Sequence, residues 1–376
     1  MFSRLLVSVT SHIPVHNTSH IMSIVRFSNK ILDRYGSYDH GIINDLIMKI
    51  YKSEYQTKIQ CDEMPIFFNI GGILTKKSII CPSSIPELPY QEPKKFDFIP
   101  EMFKEISEWL NGKDLVINGH PIPIYESRIK EYVILSRYMS SNIRSYEYSL
   151  IMAKFFIWLR IEDDISDDKR ISFHNDLDFM KDLRTKIMDI IHGKINHISD
   201  NILCDILYDI LKEMNKDTDL YRNFAKFFDI FMEKKVKEIE DKINFTKLSI
   251  LDHINDRTFG NGFTVVVSFY QLLLCGEDPT MKINLEFAEE NFIKILTNTL
   301  NLCSWFLNDL VSSGREKNED NEQSNFVYRL SEHNFDENFC IDFIIHIISK
   351  KMTEFDQIYT SLRNTIVDPC SNILLP

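Results

Sequence analysis

From Phe96 onward the apolar residues recur at the three-and-four spacing of a helix face, not at the alternate positions of a strand. Ile99, Phe103, Ile106 and Leu110 form the first such stripe, and Gly112 follows as a natural C-cap. The same periodicity predicts helices over 127–141, 145–168, 176–192, 200–214, 218–245, 262–275, 286–314 and 337–363. No βαβ punctuation appears, and no alternating strand runs bounded by hairpin turns are evident. The pattern therefore predicts an all-α protein built as a single helical bundle. Upstream the periodicity weakens, and Asn69-Ile-Gly-Gly72 and the proline-rich stretch 82–93 read as loop. The expected organisation is an N-terminal extension over 1–90, partly disordered or loosely folded, followed by one helical domain over 91–376.

Charge narrows the function classes. The chain carries a formal net charge of −12, without the clustered Lys and Arg that a phosphate backbone needs, so neither nucleic acid nor an anionic membrane surface is an expected partner. The longest apolar stretch, Phe263 to Cys275, is too short and too polar to span a bilayer. The 7 cysteines contain no CxxC pair and read as reduced thiols of a cytoplasmic protein. The first 32 residues contain Arg4, Arg26 and Lys30 but no acid before Asp33, which offers a mitochondrial transit peptide as the alternative. His12, His16 and His20 share a helical spacing, but Pro14 interrupts it.

Two polar constellations sit at the ends of apolar helical stretches. In the first, Phe155 to Asp168, an aromatic stripe runs into Glu162, Asp163, Asp164, Asp167 and Asp168. Asp163 and Asp167 stack one turn apart, so their charges repel unless cations neutralise them. Hard oxygen donors at this spacing suit Mg²⁺, which shares its coordination with substrate phosphates. The alternative is an acidic helix end exposed to solvent. In the second, Trp305 to Lys317, Asn308, Ser312 and Glu316 fall at i, i+4 and i+8. An amide oxygen, a hydroxyl and a carboxylate form an oxygen-only set for a further ion. Arg315 beside them can fork onto a diphosphate.

DDxxD followed by NDxxSxxRE on one helical domain resembles the class I terpene synthases, in the microbial form found in social amoebae, bacteria and fungi. The lead-in Ile79-Ile-Cys-Pro82 and Ile106-Ser-Glu-Trp-Leu110 is similar to the start of that domain. The resemblance implies a lyase that ionises an isoprenyl diphosphate, most simply farnesyl diphosphate, and cyclises the cation to a sesquiterpene. It implies three Mg²⁺ ions, with Mn²⁺ as a substitute, on Asp163, Asp164 and Asp167 and on Asn308, Ser312 and Glu316. Arg257 resembles the arginine that senses the diphosphate, and Gly260 to Gly262 the helix break whose carbonyl faces the reacting carbon. An ordinary interhelical turn with a solvated Arg257 is the competing reading there. Aromatic faces stabilise a cation without trapping it, with Phe156 first by helical phase and Phe155, Phe228, Phe259 and Trp305 behind it. Self-association as a homodimer is left open.

The end of the chain departs from the family pattern, because Ser361 to Pro376 holds no Arg-Tyr pair. A catalytically impaired helical paralogue is therefore the alternative to the enzyme. A chain-elongating prenyltransferase is disfavoured, since its second motif would be Asp-rich.

Overall fold

The computed structural model describes most of residues 61–82, 98–278 and 299–365. The 1–32 leader, the remainder of 1–60, the 83–97 stretch, the 286–298 part of one expected helix and the 366–376 end lie outside the described residues. The side chains of Asp167 and Arg315 also lie outside them. In chain order come strands β1 (Cys61–Ile70) and β2 (Ile73–Pro82), helix α1 (Ile99–Asn111) and a small ladder of β3 (Val116–Ile117) with β4 (His120–Pro121). Then follow α2 (Glu126–Met139), α3 (Tyr146–Asp167), α4 (Leu177–Ile191), α5 (Ile202–Leu211) and α6 (Asp219–Asn244). The remaining helices are α7 (Ile250–Gly260), α8 (Phe263–Glu277), α9 (Leu302–Asn318), α10 (Phe326–Ser331) and α11 (Glu337–Thr365).

The helices begin and end for local reasons. Met102, Ile106 and Leu110 give α1 its buried face. The Asp176 carboxylate accepts from the Phe179 N–H at 2.9 Å to cap α4, and Asn201 caps α5 through Leu203 N–H at 3.0 Å. Helix α8 is buried from Thr264 to Leu274 on every side, which makes it the central element. Among the described residues, Asp252–Glu277 is the one stretch long and apolar enough to cross a membrane, and most of it is buried inside the bundle.

Two cores form. The first gathers apolar residues of α1 to α6 and α8. Its centre is a ring cluster in which Phe155 meets Phe269 at 4.3 Å and Trp158 meets Phe228 at 5.3 Å between centroids. The Trp158 indole N–H donates to the Leu203 carbonyl at 2.8 Å, so the ring is buried without an unmet donor. The second core joins β2, α9, α10 and α11 around Trp305, Phe306 and Phe326. Helix α7 packs against both α6 and α9 and so lies between the two.

Two expectations are corrected. Residues 61–82 form an antiparallel hairpin in which Cys61 pairs with Pro82 and Ile70 with Ile73, around the Gly71-Gly72 pair read above as loop. A Gly-Gly pair between apolar runs is a hairpin signal; Asp62-Glu63 and Lys76-Lys77 obscure it by breaking the alternation. The hairpin lies on α9 and α11, where Ile79 is fully buried and Lys77 Nζ meets Asp342 Oδ1 at 2.7 Å. Part of the 1–90 extension is thus folded onto the helical body. The second correction concerns Asp256 to Gly262, which the two glycines mark as an interruption. Helix α7 runs unbroken through Gly260, and the break is confined to Asn261 and Gly262.

Candidate functional site

The acidic end of α3 follows directly from its buried face. Phe155, Phe156, Trp158 and Ile161 are buried, and so is Glu162, only 1% exposed. Asp163 and Asp164 emerge at the edge of that face, half-buried. One turn back, Arg160 donates from Nη1 to Asp163 Oδ2 at 2.9 Å and from Nε to Asp164 Oδ2 at 3.0 Å, with Nη2 also on Asp164. From α6, Lys235 Nζ reaches Asp163 Oδ1 at 3.3 Å and Glu162 Oε2 at 3.7 Å. Burial alone would push the Asp163 carboxyl up; Lys235 and Arg160 outweigh it and hold the group below the usual carboxylate range. Two cations of the chain itself thus meet the negative charge at Asp163 and Asp164.

A line of alternating charge leaves this point. Glu238, one turn beyond Lys235 on α6, accepts from Arg257 Nη1 at 2.8 Å and from Lys242 Nζ at 3.2 Å. Burial opposes its ionisation, yet Arg257, Lys242 and Lys235 together hold it well below the usual range. Arg257, on α7, also lies 6.0 Å from the Trp305 ring of α9, a cation–π distance. Its neighbour Asp256 is fixed by Lys234 at 2.7 Å and Lys237 at 2.6 Å. Arg257 is therefore built into an ion-pair network between α6 and α9, and the reading of a solvated turn arginine does not hold.

The second constellation is arranged by neutral groups. On α9, Asn308 is exposed, Ser312 buried and Glu316 half-buried. Asn325, the N-cap of α10, directs its side-chain amide to Glu316 Oε2 at 2.8 Å, to Ser312 Oγ at 3.5 Å and to the Asp309 carbonyl at 2.8 Å. One fully buried amide thus brings Ser312 and Glu316 together. Asp309, 1% exposed, accepts from the Phe326 N–H at 2.7 Å. Burial pushes its carboxyl up to about 8; Arg257 pulls it down, and the Glu316 charge raises it again. His253, against Trp305 and Phe326, is pushed down to about 3 by burial, with Arg257 adding to it, and is neutral.

The glycines divide their expected role. Gly262 has φ of +75°, and a Cβ there would stand 3.4 Å from the Phe231 ring, so the break requires it. Gly260 is helical with ordinary space around it. Asn261 holds the break by donating to the Asn301 carbonyl at 2.9 Å while accepting from Phe263 N–H at 3.0 Å. Phe156 is buried in the first core, but the ring cluster itself is built on Phe155, its neighbour. Phe228 belongs to that cluster, whereas Phe259 is half-buried.

Sequence reasoning does not single out Lys235, Glu238, Asn325 or Asp309. Asn325 ahead of the apolar run Phe326-Val-Tyr328 is a readable N-cap signal. Lys235 sits in a run of lysines that reads as a solvated face.

The donor chemistry fits a hard divalent cation. Every side chain that both motifs offer is an oxygen donor, and Ser312 and Glu316 already share one partner. Among the described residues no three Asp, Glu, His or Cys side chains converge on one point. This accords with a second motif built partly on amide and hydroxyl, and with a first motif whose carboxylates are held by Arg160 and Lys235.

Comparison with known proteins gives the same answer at the level of family and fold. The family described as terpene synthase family 2, C-terminal metal binding, matches residues 154–354. A linalool/nerolidol synthase from Streptomyces clavuligerus is similar in structure with a TM-score of 0.57 at 11% identity, covering 73% of this chain and 91% of that one. A variant of cucumene synthase gives 0.56 at 10% identity over 74% and 91% of the two chains. A protein from ancestral sequence reconstruction gives 0.58 at 12% identity over 74% and 81%. No curated protein sequence matches the chain.

Proposed function

The chain belongs to terpene synthase family 2, and from that premise we propose that it is a Mg²⁺-dependent sesquiterpene synthase acting on farnesyl diphosphate. The supporting observation is the charge network on α6, in which Lys235 meets Asp163 of the first motif and Glu238, one turn on, pairs with Arg257 beside the Trp305 ring near the second. Ion pairs along this line offset the desolvation of its charges and tie the region of the first motif to that of the second.

In this reading Asp163, Asp164 and Asp167 hold metal at one side, and Asn308, Ser312 and Glu316 at the other. Bound there, magnesium would supply positive charge that makes diphosphate a better leaving group. Arg257 and Arg315 donate to diphosphate oxygens, Arg257 exchanging part of its pairing with Glu238 for the ligand. The carbon–oxygen bond breaks with its electron pair leaving on the diphosphate, and an allylic cation remains. Water would quench that cation, so the tail must lie among apolar side chains. Phe155, Phe156 and Phe228 are the aromatic residues of the first core assigned to it in this reading, since ring faces favour positive charge. The Gly262 break lies beside Phe231 and Leu159, and in this reading a carbonyl dipole at the break supports the cation.

The test is incubation of purified protein and Mg²⁺ with geranyl, farnesyl or geranylgeranyl diphosphate, followed by gas chromatography. A fifteen-carbon product from farnesyl diphosphate is expected. Product from another chain length alone would correct the substrate, and none from any of the three would defeat the reading.

A further inference from the structure

The aspartate end of α3 already carries its positive charge, and the two cations that supply it are not equivalent. Arg160 lies on the same helix and engages both Asp163 and Asp164 with a planar fork, at 2.9 Å and 3.0 Å for two of its bonds. That geometry is local and fixed. Lys235 comes from another helix, makes the longer contact of 3.3 Å to Asp163, and stands within 3.7 Å of Glu162. Its charge also acts on Glu238, one turn further along α6, and Glu238 is the group that holds Arg257 at 2.8 Å. Lys235 is only 8% exposed, so its ammonium always needs a carboxylate. Two stand within 4 Å, Asp163 and Glu162, a third, Glu238, lies one turn along the same helix, and a flexible four-carbon stem lets the ammonium shift among them.

On the reading that metal binds at Asp163, we infer that Lys235 is a resident counterion of the aspartate motif and couples that motif to Arg257. A divalent cation arriving at Asp163 carries twice the charge of the ammonium and displaces it. Lys235 then settles on Glu162 and Glu238. The added positive charge at Glu238 weakens its hold on Arg257, which becomes available to an incoming diphosphate. Metal occupancy at one helix end is thereby linked to anion capture some helices away, with Lys235 as the positioning residue.

Mn²⁺ alone, titrated into the full chain without diphosphate and followed by the electron paramagnetic resonance of the free ion, tests the first half. Lys235→Met removes the competitor and should bind Mn²⁺ about tenfold more tightly than wild type, the scale set by a close charge pair. Lys235→Arg should bind no more tightly than wild type. If Lys235→Met does not fold by circular dichroism, Lys235→Gln makes the same test with a polar, uncharged group. Wild-type binding that neither neutral variant improves would overturn the inference alone. Absence of Mn²⁺ binding in every folded form would overturn the metal-dependent reading along with it. For the second half, Glu238→Gln should bind inorganic diphosphate more tightly than wild type in the presence of a chelator. Equal or weaker binding would overturn the coupling to Arg257.

Discussion

The two polar helix ends are built on opposite principles. At the end of α3 the carboxylates are held by full charges, Arg160 and Lys235. At the end of α9 a neutral amide, that of Asn325, donates to Glu316, and the Phe326 backbone N–H donates to Asp309. A site balanced in part by a lysine on a flexible stem can exchange that one cation for metal while Arg160 stays in place. A site arranged through a buried amide and a backbone N–H keeps its shape. The first end is thus suited to exchange and the second to preorganisation, and a ligand that bridges them would meet one adaptable and one rigid wall.

The largest effect should come from the rigid side. Asn325→Leu leaves the Glu316 carboxylate and the Asp309 carbonyl without their buried donor and removes the cap of α10. It should cost about 3 kcal/mol by chemical denaturation. A loss below about 1 kcal/mol would mean that the amide does not organise α9. Next, Gly262→Ala forces a Cβ into a left-handed residue beside Phe231 and should cost about 2 kcal/mol. An unchanged melting temperature would show that the break tolerates a side chain.

The pH dependence sharpens the comparison further. Asp309 is raised in the fold to about 8, so above the ordinary value of about 4 the unfolded chain gives up a proton that the folded chain keeps. Its contribution to stability is therefore full at low pH and is lost as pH rises toward 8. His253 is lowered to about 3; its contribution is full above about 6.5 and is lost as pH falls. Between about 6.5 and 8 Asp309 acts without that opposition, at about 1.4 kcal/mol per pH unit. Asp309→Asn should flatten the melting temperature across that window, and an unchanged slope would remove Asp309 as its source. The smallest effect belongs to the adaptable side. Asp164→Asn should change stability by less than about 1 kcal/mol, because the Asp164 pair with Arg160 is part-exposed.

The sequence is informative in proportion to how local each feature is. The expected helices over 127–141, 145–168, 176–192 and 218–245 appear as α2, α3, α4 and α6 within two residues or so at each end, since apolar periodicity and caps decide them. Both motifs are visible as residue types at fixed spacing. What surrounds them is not. Lys234, Lys235 and Lys237 look alike along the chain, yet Lys235 faces Asp163 while the other two grip Asp256. Helical phase against a partner makes that choice, and a single sequence does not contain the partner. The β1–β2 hairpin hides for the same reason, its stability coming from α9 and α11.

The account rests on the two helix ends acting on one diphosphate, and the most direct measurement is Mg²⁺-dependent release of diphosphate from farnesyl diphosphate in a single turnover. Wild type should release it. Asp163→Ala and Asn308→Ala, folded by circular dichroism, should each be slower by at least about a hundredfold, the scale of several kcal/mol of leaving-group stabilisation. Release that survives both substitutions, or a folded wild-type chain that releases none, would contradict it.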